Sequence, residues 1–414
     1  MEVKPGYKQT EVGVIPEDWS VEPLRELANI RSGIAKNSNA TVSNPIRVHY
    51  LRVANVQDGF LDLTDMSCIE VSRGDLSRFS VLPGDVLMNE GGDLDKLGRG
   101  SIWLGEFQPC IHQNHVFVVR CGSSISPEYL AIWSSGAKAR RYFLVAGKQT
   151  TNLASINKKS LGELPVVLPA QDEQCAISTA MSDVDALLDR LDRLIAKKRA
   201  IKEAAMQQLL TGQIRLPGFS GDWEVKRLGD LAQIQRGASP RPIDDPRWFD
   251  ERSNVGWVRI SDITSSGMYL NKTTQRLSPD GVAQSRPVDG GSLIMSICAT
   301  VGRPIITNIN VCIHDGFVVF DNLNADRSFI YYVLKWIEPG WSKRGQTGSQ
   351  MNLNTGLINS TTINLPPLDE QVAIASTLRD MEAEIAALET RRTKTQALKQ
   401  AMMQELLTGR TRLV

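Results

Sequence analysis

LPAQDEQCAI, residues 168–177, returns as LPPLDEQVAI at residues 365–374. Glu173 maps to Glu370, 197 positions later, and the register holds without a gap: AAMQQLLTGQIRL, ending at Leu216, returns as AMMQELLTGRTRL, ending at Leu413. Met206, Leu209, Leu210, Thr211, Gly212 and Arg215 keep their identity in the second copy. An internal repeat of this length fixes the architecture before any single element is read. A second anchor lies upstream, where DWSVEPLRELANIRSG (residues 18–33) matches DWEVKRLGDLAQIQRG (residues 222–237), pairing Trp19 with Trp223. Between the anchors the copies diverge, although YLRVANVQDG near Arg52 resembles WVRISDITSSG near Arg259, and QPCIHQNHVFVV resembles NVCIHDGFVVF.

Within each copy the middle reads as short β-branched and aromatic runs, such as VHYLRVANV and GFVVF, separated by Gly, Asp, Asn and Ser clusters. Strands and loops are expected there. After LPxxDEQ the pattern changes: Asp172 or Asp369 can cap a helix with no interior Gly or Pro until Gly212 or Gly409. Val184, Leu187, Leu191, Leu194, Ile201 and Ala205 form its apolar seam in the first copy; Ile374, Leu378, Met381, Ile385, Leu388, Leu398 and Leu406 form a broader stripe in the second. Such a helix is roughly 57 Å long at 1.5 Å per residue, too long for one small domain to cover. The other copy is its expected partner, in an antiparallel coiled coil.

The expected fold class is therefore α+β: two tandem β-rich domains, each followed by a long helix, the helices pairing with pseudo-twofold symmetry. The boundaries read from the repeat are 1–160 and 217–358 for the β-rich domains, and 161–216 and 359–414 for the helical regions.

The chain has 414 residues, of which 42% are hydrophobic and 22% charged, the make-up of a water-soluble globular protein. No stretch is apolar enough to span a membrane, and MEVKPGYKQTEVGVIPEDW has no signal-peptide core, so a cytoplasmic location is expected. Formal charge is +1, and both β-rich stretches are only slightly positive, so charge neither demands nor forbids a nucleic-acid partner. Six cysteines without CxxC spacing indicate neither disulfides nor a zinc ribbon.

IPEDW near the start, the paired LPxxDEQxAI segments and the paired LLTGxxRL helix ends together resemble the specificity (S) subunit of type I restriction-modification systems, over nearly the whole chain. The resemblance implies that each β-rich domain is a target-recognition domain reading one half of an interrupted, asymmetric site on double-stranded DNA. The helices would set the gap and dock two methyltransferase (modification) subunits, with restriction/translocase subunits completing the complex. No cofactor is expected on this chain; S-adenosylmethionine, ATP and Mg are implied for the partner subunits. The alternative is a coiled-coil scaffold with two β-rich interaction domains that bind no DNA.

Enzyme chemistry finds no constellation. GxxxxGK[ST], HExxH and the [DNS]PP[FYW] signature of adenine methyltransferases are all missing. Cys110, His112 and His115 invite a metal reading, but the second copy keeps only Cys312 and His314, which favours core positions. Base-edge readout needs Arg, Lys, Asn or Gln on loops, supported by hydroxyls. The candidates are Arg31, Lys36, Lys96, Arg99, Gln113, Asn114, Lys148, Gln149, Thr150, Thr151 and Asn152 in the first copy, and Arg236, Arg241, Arg303, Lys343, Arg344, Gln346, Ser349, Gln350 and Asn352 in the second. Arg52 and Arg259 match between copies and lean toward a structural ion pair. Glu173, Gln174, Glu370 and Gln371, at the helix starts, are read as caps and partner-docking candidates.

Overall fold

The structure, a computed structural model, describes residues 4–35, 44–92, 97–149, 154–344 and 353–413. It divides into two compact units: unit one, Met1–Asp192 with Thr390–Val414, and unit two, Arg193–Glu389. The division falls inside each long helix, so compactness does not follow the four consecutive segments of the repeat. The physical reason lies in the helix ends, which bury their last apolar turns in different cores: Met403, Leu406 and Leu407 join the core of unit one, and Met206, Leu209 and Leu210 that of unit two.

In unit one a four-stranded antiparallel sheet has the order Ala28–Ser32, Val116–Cys121, Val86–Asn89, Gly100–Ile102. VFVVRC at its centre is β-branched and aromatic, and its first four residues are buried. A three-stranded sheet places Ile46–Leu51 between Cys110–His112, which runs parallel to it, and the antiparallel Ser67–Val71. Ser20–Pro23 pairs with Pro165–Leu168, which sets the IPEDW region beside the entry to the first long helix.

Unit two repeats this order. Gln233–Arg236, Phe317–Asp321, Leu293–Ser296 and Pro304–Thr307 form the equivalent sheet, extended by Tyr269–Leu270. Gly256–Val258 again has a parallel neighbour, Val311–Ile313, and an antiparallel one, Gln275–Arg276. Glu224–Arg227 pairs with Thr362–Leu365, as Ser20–Pro23 does with Pro165–Leu168.

The first long helix is Gln171–Leu210 and the second Leu368–Leu406. Each starts one residue before the aspartate expected to cap it, so Asp172 and Asp369 lie in the first turn, where carboxylates suit the helix dipole. Gly212 and Gly409 sit just past the ends at φ +72° and +65°, left-handed positions that favour glycine. In the first helix the buried apolar positions are Ile177, Met181, Leu188, Leu191 and Ile195, then Met206, Leu209 and Leu210 at its end, whereas Leu194 and Ile201 are exposed. The seam is thus rotated from the expected one; Lys198 and Lys202 continue it with long side chains that keep their charge paired while their stems pack. In the second helix Ile374, Leu378 and Ile385 are buried as expected and Leu398 is exposed.

Ion pairs join the helices inside each unit. In unit one Asp185 meets Lys399 and Asp192 meets Arg392; in unit two Lys198 meets Glu384 and Lys202 meets Glu382. Residue numbers rise on one helix as they fall on the other. No helix among the described residues is long and apolar enough to cross a membrane.

Candidate nucleic-acid interface

The repeated DEQ segments do internal work. Glu173 is 1% exposed and Glu370 fully buried. Both oxygens of Glu173 accept from Arg412 (2.5 and 2.7 Å), and the Trp19 indole N–H donates to Oε2 at 3.0 Å. Glu370 repeats this with Arg215 (2.5 and 2.6 Å) and Trp223 (3.1 Å). The conserved Trp, Glu and Arg of the sequence anchors are therefore one cluster, built twice. Gln174 accepts from the Ser126 amide and donates to the carbonyls of Ser124 and Pro169; Gln371 accepts from the Asp326 amide and donates to the Pro366 carbonyl. All four side chains expected at a docking surface are buried and satisfied within the chain, because a carboxylate at a helix start that meets an arginine loses less by burial than one left alone. None of the four offers surface to a partner.

The DNA-contact candidates of unit one converge on one end of the four-stranded sheet. Ile34 bridges Gln113, and the Asn114 amide donates to the Ile34 carbonyl, so the loop after Ser32 meets the turn of residues 113–115. The Glu90 amide donates to the His115 carbonyl, and Gly91–Gly92 pairs with Ala154–Ser155, which pairs with Lys148–Gln149. Gln113 and Asn114 are half-buried and Lys148 is exposed. Lys36, Lys96, Thr150, Thr151 and Asn152 lie outside the described residues, as does the side chain of Gln149. Arg99 is half-buried, and its carbonyl accepts from the Asn89 amide. Arg31 does not join this group: its guanidinium donates to the Ser80 carbonyl at 3.3 Å and sits 3.9 Å from Asp85. Burial and the neighbouring Arg120 lower its pKa.

In unit two the corresponding end carries the Ile313–Phe317 turn, the loop after Arg236 and Leu353, just before the helix Thr355–Ser360. The Ala238 amide donates to the Ile313 carbonyl, Ile297 to Gly316, and Leu353 to Ile297. Arg236 donates through Nε to the Asp315 carbonyl (2.6 Å), and Arg241 lies 3.4 Å from Asp315 Oδ2. Arg303 faces Glu338 at 3.6 Å, an ion-pair contact. Lys343 and Arg344 end the helix Arg327–Arg344, with side chains outside the described residues; Gln346, Ser349, Gln350 and Asn352 lie outside them entirely.

Sequence matching set His112 against His314, but the strands set it against Ile313. Cys110–His112 pairs with His49–Leu51 as Val311–Ile313 pairs with Gly256–Val258, so Gln113 corresponds to His314 and Asn114 to Asp315. Gly33 and Gly237 certify this register: a Cβ at either would overlap the carbonyls of 112 and 113, or of 313 and 314. A one-residue slip moves a side chain to another environment. His112 is buried in its strand, bonded through Nδ1 to the Val116 carbonyl (2.6 Å), and burial lowers its pKa to about 4. His314 lies in the turn, where its Nδ1 accepts from the Gly316 amide (2.9 Å). Burial pushes the Cys110 thiol up to about 12 and Cys312 to about 11. No group of three His, Cys, Asp or Glu able to hold a metal occurs among the described residues.

Arg52 donates to the Asp65 carboxylate at 2.8 Å and to its carbonyl at 2.7 Å, an ion pair that folds the loop back on itself. Arg259 instead donates to Gln275 (2.8 Å). Their backbone amides are capped alike, by Asn55 and Asp262. Residues that sequence reasoning missed are Asp315, Ser239 and Arg286: Ser239 donates to Asp315 Oδ1 (2.8 Å), and Arg286 to the Arg236 carbonyl (2.6 Å) and to Gln235. The matched glycines Gly33 and Gly237 were the signal that could have placed Asp315 opposite Asn114.

A family model described as type I restriction modification DNA specificity domain matches residues 220–400. A Methanocaldococcus jannaschii protein described as putative type I restriction enzyme MjaX specificity subunit is 26% identical over 424 residues, covering 98% of this chain and 97% of its own. The type I restriction enzyme EcoKI specificity subunit of Escherichia coli is 26% identical over 227 residues, 51% of this chain and 48% of its own. Among solved structures, the HsdS subunit from Thermoanaerobacter tengcongensis superposes with a TM-score of 0.53 at 20% identity, covering 95% of this chain and 98% of that one. The type I restriction-modification S subunit from M. genitalium does so with a TM-score of 0.56 at 11% identity, covering 98% of both. The fold is shared at these identities; over residues 220–400 the chain is similar to type I restriction modification DNA specificity domains, and over nearly its whole length it is similar to curated specificity subunits of type I restriction enzymes.

Proposed function

We propose that this chain is the sequence-specific DNA-binding subunit of a type I restriction-modification complex, with residues 1–160 and 217–358 as its two target-recognition domains. The observation that carries this reading is one strand order built twice, with unlike side chains on the loops at the corresponding sheet end. A common frame with different loops suits two different readers, so the target is bipartite and asymmetric. The long helices pair as an antiparallel coiled coil with pseudo-twofold symmetry. At 40 and 39 residues they are each about 60 Å long, enough to space two readers by a helical turn of DNA, roughly 34–36 Å, or a multiple.

The chain performs no chemical step. Two methyltransferase subunits dock along the helices and bring S-adenosylmethionine; restriction subunits bring ATP and Mg; the assembly works in the cytoplasm. Among the DNA-contact candidates, Gln113, Asn114, Lys148, Arg236 and Arg241 gain support from their convergence on the two sheet ends. Arg31 is better explained as a structural arginine. Sequencing modified DNA from cells with and without this gene, beside its methyltransferase, should reveal one split adenine-methylation motif. Exchanging residues 34–150 should change one half and leave the other intact. A scaffold that binds no DNA would give no motif at all.

A further inference from the structure

The turn at Asp315 occupies in unit two the place of Asn114 in unit one. Its carboxylate is anchored on one side only: Oδ1 accepts from Ser239 at 2.8 Å, while Oδ2 has the long 3.4 Å approach of Arg241. Each carboxylate oxygen can accept more than one hydrogen bond, so Oδ2 retains capacity for a donor. The side chains of Asp315 and Arg241 are 46% and 71% exposed. Arg236, bound to the Asp315 carbonyl, adds positive charge that offsets the repulsion a bare carboxylate would meet from phosphates.

We infer that Asp315 and Arg241 together read a single G·C base pair in the half-site of residues 217–358. In the major groove cytosine presents the N4 amino donor and guanine the O6 and N7 acceptors, so a carboxylate beside a guanidinium complements the pair across its width. Asn114, with one amide carrying both donor and acceptor, suits the N6 and N7 of adenine instead. The turn thereby contributes one base of difference between the half-sites. This assignment rests on the DNA-reading function proposed above.

The test uses the full chain assembled with its methyltransferase subunits, reading modification of every site in genomic DNA. Asp315→Asn puts an amide N–H in reach of the cytosine amino group with little change in volume; it should lower modification of the wild-type site about ten-fold and relax one G·C position in one half only. Arg241→Ala, at an exposed position where folding is indifferent, should relax that same position. If both variants keep the wild-type motif, or if Asp315→Asn weakens both halves equally, the assignment falls while the two-reader function stands. A wild-type assembly with no split motif would overturn the function and the assignment together.

Discussion

The two units bury the same carboxylate and wire it differently. In unit one Arg412 forks between Glu173 and Asp18, at 3.0 to 3.1 Å from the second carboxylate, and Trp19 above it is 1% exposed. In unit two Arg215 hydrogen-bonds Glu370 and spends its remaining Nη on the Gly221 carbonyl, while Asp222, the counterpart of Asp18, acts on it only through space, and Trp223 is only half-buried. Arg412 also lies 5.4 Å from the Trp19 ring and Arg215 5.5 Å from that of Trp223, so the cation–π contact is common to both. What differs is how many carboxylates depend on one guanidinium. The hydrogen bond from Arg412 holds the Asp18 carboxyl below its usual range, which marks Asp18 as part of the unit one cluster.

That difference predicts an order. Arg412→Met strands a buried carboxylate and a second one beside it, and should destabilise unit one by about 3 kcal/mol, the lower range for breaking a buried pair, since the arginine is partly hydrated. Arg215→Met strands only Glu370 and should lower the melting temperature less. Calorimetry on both variants decides; a larger loss for Arg215→Met would mean that Asp18 contributes nothing.

The histidines separate the units by pH. Below pH 6.5 the unfolded chain protonates His112 while the folded chain, whose pKa there is about 4, does not, so stability falls as pH drops from 6.5 toward 4. The shift corresponds to at most about 3 kcal/mol at the low end. His112→Asn should flatten that slope in denaturant titrations. His314, lowered in the same direction mainly by burial but 18% exposed, should flatten it less when replaced by Asn. Equal slopes for both variants would contradict the register that sets His112 against Ile313.

Much of this architecture was legible because it is local. A Gly- and Pro-free interior bounded by Pro169 and Gly212, repeated at Pro367 and Gly409, reads as a helix on propensity alone. The clusters were not legible, since Arg412 meets Glu173 across 239 residues and Arg215 meets Glu370 across 155. The sequence shows the three matched residues without showing that they touch, and a docking role looked natural for an acidic helix start. The Cys-Ile-His match misled for another reason: identical letters fell one place out of the register that strand pairing and the glycine contacts impose. The candidate interface was found as scattered polar loops, and only the backbone pairing of Gly91–Gly92 with Ala154–Ser155 brings the distant ones together.

The tryptophans give the next smaller effect. Trp19→Phe removes one hydrogen bond to a charged acceptor, a contribution of about 1.5 kcal/mol, in a site with almost no access for water. Trp223→Phe removes the same bond where solvent can replace it, so its loss in chemical denaturation should be clearly less. Equal losses would show that the indole N–H, and not its seclusion, sets the contribution.

The smallest effect concerns the helix pairs. Lys202 and Glu382 lie in unit two at 2.8 Å with side chains 25% and 31% exposed, and Glu382 also accepts from the Tyr332 hydroxyl at 3.0 Å. In unit one Lys399 and Asp185 lie at 2.5 Å, but the aspartate is 52% exposed. A partly hydrated pair contributes at most about 1 kcal/mol, because desolvation and side-chain ordering offset the attraction. A double-mutant cycle to alanine should therefore give a measurable coupling for Lys202–Glu382, fixed by a third group, and a coupling near zero for Lys399–Asp185. The opposite ranking would mean that separation alone, and not the company the carboxylate keeps, governs these contacts.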